Sequence, residues 1–332
     1  ASCREAIALK PDFAEAHSNL GNALKELGRL DEAEASYTQA IVLKPDYVVA
    51  LSNLGNTLQE LGRLDEAEAN FTRAIELKPD YAEAHSNLGN TLHELGRLEE
   101  AEANFTRAIE LKPDFAVAHS NLGNTLKELG RIDEAEASYT QAIALKSDYA
   151  RAHNNLGDTL HEQDKLDEAE VSYKQAIALQ PDFVEAHNNL GLALKELGRL
   201  DEAEATCRQA IALQPDFAEA HWGLSKVLYK MGNNDAALES LKRANAIDPK
   251  SKDIQLELSV LKAKKGREDT EGRVKNIVPS DILFTPPSKI LELNLSVEQE
   301  LITYLYSKEL LDLNKLKDPS FGDTKGSEYD LF

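Results

Sequence analysis

An all-α solenoid of stacked helix pairs is the fold class this chain predicts, on three observations. Asn19-Leu20-Gly21-Asn22 returns at 53–56, 87–90 and 121–124, then drifts to Asn155-Leu156-Gly157-Asp158 and Asn189-Leu190-Gly191-Leu192, always 34 residues on. A fixed period of that length marks stacked supersecondary units, each too small to bury its apolar face alone. Within a unit, Leu20, Leu24 and Leu27 recur at spacings of four and three, the face of a helix. Lastly, no apolar run approaches about eighteen residues, so no membrane-spanning helix is expected. Such a chain offers an extended surface rather than a cleft.

Residues 1–13 read as the second helix of a partial unit, and full units follow at 14–47, 48–81, 82–115, 116–149, 150–183, 184–217 and a divergent 218–251. In the first, Gly28-Arg29 breaks the first helix. A second helix runs through Ala33, Tyr37, Ala40, Ile41 and Leu43, and Pro45-Asp46 ends it. Small residues at Gly21, Ala33 and Ala40 let the two helices approach closely, so a bulky replacement is expected to overpack the contact by roughly 1–3 kcal/mol. Asp31, Glu32 and Glu34 suit the positive end of the second helix. Asp12 with Glu15, Asp80 with Glu83, Asp182 with Glu185 and Asp216 with Glu219 read as capping boxes for first helices. Ser147 replaces the turn proline in one unit, which is expected to loosen that joint.

The repeat decays at 218–251, where Trp222-Gly223 replaces the Ser-Asn pair and Ser225 replaces glycine. Residues 252–266 predict a capping helix with Leu256, Leu258 and Leu261 inward and Lys262, Lys264 and Lys265 outward. Residues 267–288, with Pro279, Pro286 and Pro287, read as a linker. Residues 289–332 read as a tail or the start of an incomplete second domain. It would hold a strand at 290–293 and a helix opened by Ser296 with Gln299 and carried through Leu301, Leu305 and Leu310.

A formal charge of −21 over 332 residues argues against nucleic acid and anionic membrane as partners, since both need basic patches. Cys3 and Cys207 occupy the same repeat position many units apart and cannot pair, which suits a reducing, cytoplasmic setting. The chain starts mid-unit, so its lack of a leader carries no information. Apolar surface at a cut first unit would favour self-association through the Ala1 end.

The candidate site is a ladder of amides. Asn19, Asn53, Asn87, Asn121, Asn155 and Asn189 hold one position per unit, and Asn22, Asn56, Asn90 and Asn124 lie three residues on, hence on the same helix face. Asparagine costs several tenths of a kcal/mol against alanine in a helix, so this density carries a small penalty. An amide both donates and accepts, which suits gripping a peptide backbone. The alternative is that the amides bond neighbouring helices and set the pitch. With helices about 8–10 Å apart and a guest advancing about 3.3 Å per residue, one rung serves about every third residue. Lys25, Gln59, His93, Lys127, His161 and Lys195 vary beside constant glutamates (Glu26, Glu60, Glu94, Glu128, Glu162 and Glu196), as expected where a groove acquires selectivity.

No catalytic constellation, metal site or cofactor is expected. His17, His85, His119, His153, His187 and His221 share one position, but rungs near 10 Å apart cannot share an ion held at about 2 Å. They read as packing residues. No phosphate-cradling glycine loop, His-Glu-x-x-His or nucleophile elbow occurs.

Leu20, Gly21, Ala33, Tyr37, Ala40 and Pro45, with their copies, resemble the tetratricopeptide repeat signature from residue 1 to about 266. One departure is histidine, or Leu51, where the family often carries an aromatic early in the first helix. The resemblance implies antiparallel pairs wound into a right-handed superhelix, first helices lining the concave wall, and binding of peptides or protein segments there. The Asn-Leu-Gly-Asn run is further similar to the arm of O-linked N-acetylglucosamine transferases, where such asparagines hold substrate chains. Phe284-Thr285-Pro286 weakly resembles the entry segment of iron- and 2-oxoglutarate-dependent dioxygenase domains, although no histidine follows His221 to hold iron. The leading expectation is therefore a non-catalytic scaffold for an extended protein segment. The alternative is the substrate-presenting arm of a truncated multidomain enzyme, a glycosyltransferase or a dioxygenase.

Overall fold

The computed structural model describes residues 2–277, and the side chains of residues 3–265. Sixteen helices follow in order, with no strand among the described residues. One unit, Ala1–Asp248, opens with α1 (Ser2–Leu9) and continues as seven pairs. These are α2 (Ala14–Glu26) with α3 (Leu30–Leu43), α4 (Val48–Glu60) with α5 (Leu64–Leu77), α6 (Ala82–Glu94) with α7 (Leu98–Leu111), and α8 (Ala116–Glu128) with α9 (Ile132–Leu145). Then come α10 (Ala150–Glu162) with α11 (Leu166–Leu179), α12 (Val184–Glu196) with α13 (Leu200–Leu213), and α14 (Ala218–Lys230) with α15 (Asn234–Ile247). The other unit, Pro249–Phe332, contains α16 (Lys252–Ile277).

The six pairs from α2–α3 to α12–α13 close on a glycine. A Cβ built on Gly21 would lie 2.6 Å from the Tyr37 ring, and one on Gly55 2.7 Å from the Phe71 ring. The second helix lays its aromatic flat on the first helix's backbone, with Ala33 and Ala40 fully buried beside it. Only glycine leaves room for that ring, which is why the expected close approach is found. In α13 the ring is replaced by Cys207, whose thiol would sit 2.5 Å from a Cβ on Gly191. Burial pushes that thiol up to about 12, so it is an inert packing group, and both cysteines are free.

The break between paired helices is a Schellman closure. Gly28 takes φ +70° and donates to the Lys25 carbonyl (2.9 Å), while Arg29 N–H reaches back to Leu24 (2.9 Å). Asp164 fills the same left-handed position between α10 and α11 at φ 61°.

Several expectations are corrected. The first helices are not closed by capping boxes: Phe13, Tyr81, Phe183 and Phe217, not the preceding aspartates, stand at the cap and make no side-chain cap bond. Glu15 and Glu83 instead reach the turn lysines one repeat on, Lys44 at 3.5 Å and Lys112 at 3.0 Å. Those lysines also sit over the cap aromatics, Lys44 4.9 Å from the Tyr47 ring and Lys112 4.7 Å from Phe115. Leu27 is 70% exposed rather than inward. The turn at Ser147 closes like the others, Tyr149 N–H bonding Lys146 at 3.2 Å against 3.2 Å at the Phe217 turn. Finally, α16 does not stop at Gly266 but runs to Ile277, into the segment read as linker. An interior glycine costs a helix only about 1 kcal/mol, and no proline interrupts the chain before Pro279. In α16, Ile254, Leu258 and Leu261 are buried. The strand at 290–293, the helix from Ser296, Phe284-Thr285-Pro286 and the rest of 278–332 lie outside the described residues.

Within the first unit the first helices of successive repeats touch, α2 on α4 and onward to α12 on α14. No contact as extensive joins successive second helices among the described residues. The first helices therefore form the inner side of the array, and the ladder is on them.

Candidate functional site

The amides of the inner wall bond to one another, repeat to repeat. Asn53 Nδ2 donates to Asn22 Oδ1 (3.0 Å), Asn121 to Asn90 (2.8 Å) and Asn155 to Asn124 (2.9 Å). Asn189 donates to Asp158, which stands where the four preceding repeats have asparagine (2.8 Å). The second helix adds a further donor where it carries tyrosine. The Tyr37 hydroxyl donates to Asn22, Tyr139 to Asn124 (both 2.7 Å) and Tyr173 to Asp158 (2.8 Å). Phe71 and Phe105 occupy the same position without a hydroxyl.

The reading in which the amides bond neighbouring helices thus describes part of the ladder. Asn22 and Asn124 have both lone pairs of Oδ1 filled and serve the pitch of the array. Each amide carries two donors and two lone pairs, so Asn53 retains Oδ1 and Asn22 and Asn124 retain Nδ2, whereas Asn155 Oδ1 already accepts from Asn154 Nδ2 (3.4 Å). Asn56 and Asn87 make no side-chain hydrogen bond among the described residues, and Asn90 accepts one only. Asn19 is also without one; no first helix precedes it in this chain.

The variable positions are not free selectivity groups. Each reaches the glutamate of the next repeat: Lys25 to Glu60 (3.0 Å), Gln59 to Glu94 (2.9 Å), Lys127 to Glu162 (3.6 Å) and His161 to Glu196 (2.7 Å). His93 Nε2 lies 3.2 Å from Glu128 but is too poorly aligned to bond, and it is buried without a hydrogen bond. Lys195 turns to its own Glu196 (3.5 Å), because Lys230 replaces the next glutamate and donates to the Lys195 carbonyl (3.0 Å). These contacts form a second zipper beside the amides.

Burial sets the electrostatics. It pushes the Tyr37 hydroxyl up to about 12, helped by the charges of Glu26 and Glu60. Tyr173 is raised further, by burial and by Asp158. Burial also raises the Asp158 carboxyl, against the lowering effect of the Tyr173 hydrogen bond and of Lys127.

Two hollows open on this wall. One of about 130 Å³ lies between Gln59, Asn90, His93, Glu94, Phe105 and Asn121. The other, of about 450 Å³, lies between Asn124, Lys127, Glu128, Asn155, Asp158 and Glu162. A hollow of about 490 Å³ along α5, lined by Asp65, Glu68, Thr72 and Arg73, is larger. It is one helix's open flank, without convergent groups from neighbours. The histidine series is structural: His17 Nε2 lies 3.0 Å from the Pro11 carbonyl and His187 3.0 Å from Pro181, tying each first helix to the turn before it. No three His, Cys, Asp or Glu side chains gather as metal ligands among the described residues.

Sequence reasoning missed a seam on the second helices. Arg63 Nη1 donates to Glu34 (2.6 Å) and its other nitrogens to Glu66 (2.6 Å), and Arg97 and Arg131 repeat the pattern with Glu68 and Glu102. The available signal was the constant Gly-Arg pair with a glutamate 29 residues before the arginine. Read alone, Gly-Arg was just a helix break, and Glu34 just a dipole charge.

Models of the tetratricopeptide repeat match residues 12–80, 46–114, 104–137 and 195–257, and a TPR repeat model matches 123–164 and 157–198. No curated protein matches the chain. Among solved structures, a chain of the APC/C hetero-tetramer Cut9–Hcn1 is similar at TM-score 0.64 and 18% identity, over 78% of this chain and 51% of that one. The chain thus spans about half the length of that relative. A repeat protein from Parabacteroides merdae is similar at TM-score 0.60 and 19% identity, over 75% of this chain and 98% of that one. Pseudomonas aeruginosa PilF gives 0.57 and 19%, over 62% and 94%.

Proposed function

The chain belongs to the tetratricopeptide repeat family, and from that premise we propose that it is a non-catalytic interaction scaffold holding an extended protein segment along its inner wall. The observation that carries this reading is the unsatisfied half of the amide ladder. Rungs such as Asn22–Asn53 keep one donor group and one acceptor after their mutual bond, and a peptide unit needs one of each. Rung spacing of about 8–10 Å matches about three residues of extended chain. The guest is held mainly by its backbone, because the charged positions beside the ladder are occupied with one another. Three lysines face six glutamates and Asp158 along that wall, so an acidic segment is disfavoured and a neutral or basic one favoured.

Photo-cross-linking tests the reading. A benzophenone side chain placed at Gln59 or Lys127, on the inner wall, is expected to capture labelled unstructured peptides. The same group at Arg73, on the α5 flank, is expected not to. Equal capture at the three positions, or capture at Arg73 alone, would place the guest elsewhere and remove the proposal.

A further inference from the structure

We infer that a guest chain docks first across repeats 48–115, and that Phe71 and Phe105 are the residues that keep this stretch of wall open. The inference rests on the inner-wall reading above and fixes its register. In the repeats with tyrosine, the hydroxyl fills one lone pair of the ladder amide and the next asparagine fills the other. Phe71 lies on Gly55 as Tyr37 lies on Gly21, 2.7 Å and 2.6 Å from the built Cβ, so ring placement is the same and the hydroxyl alone is missing. The missing hydroxyl leaves Asn56 and Asn90 each one donor short, and Asn87, unlike Asn121, makes no bond to the rung before it. Asn56 and Asn87 therefore have no side-chain bond and Asn90 one, whereas the Oδ1 atoms of Asn22 and Asn124 are filled. A peptide unit meeting the open rungs gains both its hydrogen bonds without breaking any. At the Asn22 and Asn124 rungs Oδ1 is already taken by two donors, so a guest there finds fewer free groups, and displacing the buried tyrosine donor is costly.

The same stretch names the guest's chemistry. At the variable position it carries Gln59 and His93, between Lys25 and Lys127. Glu94 therefore meets the neutral Gln59 amide (2.9 Å) where Glu60 meets the Lys25 ammonium (3.0 Å). Glu94 and the edge of Phe105 line one hollow with Asn90. A carboxylate whose neighbour is a neutral amide suits the ammonium of a lysine or the guanidinium of an arginine. The guest is an extended segment with a basic side chain at this register.

The probe is an array of peptides of about 15 residues, enough for about five rungs, built of Gly, Ser and Ala with one central Lys, Glu or norleucine. Wild-type protein is expected to hold the Lys peptides several-fold more tightly than the others, and Glu94→Gln to erase that preference. The double variant Phe71→Tyr, Phe105→Tyr is expected to weaken capture by about three- to tenfold per closed rung, the scale of a hydrogen bond or two. Tyrosine already occupies this position in three repeats, so the variant folds, and an unchanged melting curve verifies it. If wild-type protein captures peptides while the double variant captures them equally, or if Glu94→Gln leaves the Lys preference intact, the register is overturned and the inner-wall reading survives. If no peptide is captured, or cross-links form on the α5 flank, the inner-wall reading falls and takes this inference with it.

Discussion

Repeats 48–115 and 116–183 are nearly the same in sequence and in backbone, yet they use their inner-wall amides differently. In the second stretch, Asn124 is bonded by Tyr139 and Asn155, and Asp158 by Tyr173 and Asn189. In the first, Asn56 is unbonded and Asn90 bonded once. The difference comes from two side chains on the other helix, Phe71 and Phe105 against Tyr139 and Tyr173, each fifteen residues after its amide. One hydroxyl thus decides whether the second lone pair of a ladder residue is taken within the scaffold.

The comparison sharpens if backbone contact is shown to be common to both stretches. Gly55→Val and Gly157→Val each drive a side chain into a ring 2.6–2.7 Å from the Cβ. Both are expected to lower stability, by roughly 1–3 kcal/mol, to a similar extent in urea denaturation. Unequal losses would mean that the two stretches differ in packing and not just in hydrogen bonding.

Next in size is the hydroxyl itself. Tyr139→Phe removes the bond to Asn124 and is expected to cost about 1 kcal/mol. Phe105→Tyr is expected to be neutral or slightly stabilising, since Asn90 offers the new hydroxyl an acceptor. Thermal melts of the pair check this, and a Phe105→Tyr variant that is clearly destabilised would break the comparison.

Asp158→Asn restores the amide that the four preceding repeats carry. Burial raises the Asp158 carboxyl above its ordinary 3.8, so its charged form costs the fold stability at neutral pH. The sign follows. The variant is expected to be the more stable above the raised value, with its advantage shrinking as pH falls and gone below about 3.8. Melts from pH 7 to pH 3 read the difference, and a variant less stable at pH 7 contradicts it.

The smallest effect is expected at the arginine seam. Hydrogen bonds from Arg97 hold the Glu100 carboxyl below its ordinary 4.5, so this contribution is present above that value and lost as pH falls through the depressed one. The pairs are substantially exposed, and Arg97→Ala is expected to lower the melting temperature only slightly, and less at high salt. A salt-independent loss would show that Arg97 acts through packing.

The scaffold was legible in the letters, because the step of 34 residues is set by helix pairs and five of the seven pairs close on one glycine and one ring. Unit boundaries at 14, 48 and 82 coincide with the starts of α2, α4 and α6. The ladder's face was legible too, since Asn19 and Asn22 are one turn apart. Its division of labour was not. Whether Asn87 meets Asn56 depends on side-chain rotamers and on a hydroxyl in another helix, and sequence spacing carries neither. The arginine seam and the Lys25–Glu60 zipper join residues 29 and 35 apart, in different repeats. A reading confined to one unit does not connect them. The capping boxes failed for a local reason: the helix starts one residue later than the motif requires, so the aspartate lies outside it.

Two double variants compared side by side test the central claim most directly, with peptide capture and melting temperature read on the same samples. Asn56→Ala with Asn87→Ala is predicted to lose capture while melting is unchanged. Asn124→Ala with Asn155→Ala, which strands the Tyr139 hydroxyl, is predicted to melt lower while keeping most of its capture. If the two behave alike, the wall has no open stretch and the division drawn between its amides is wrong.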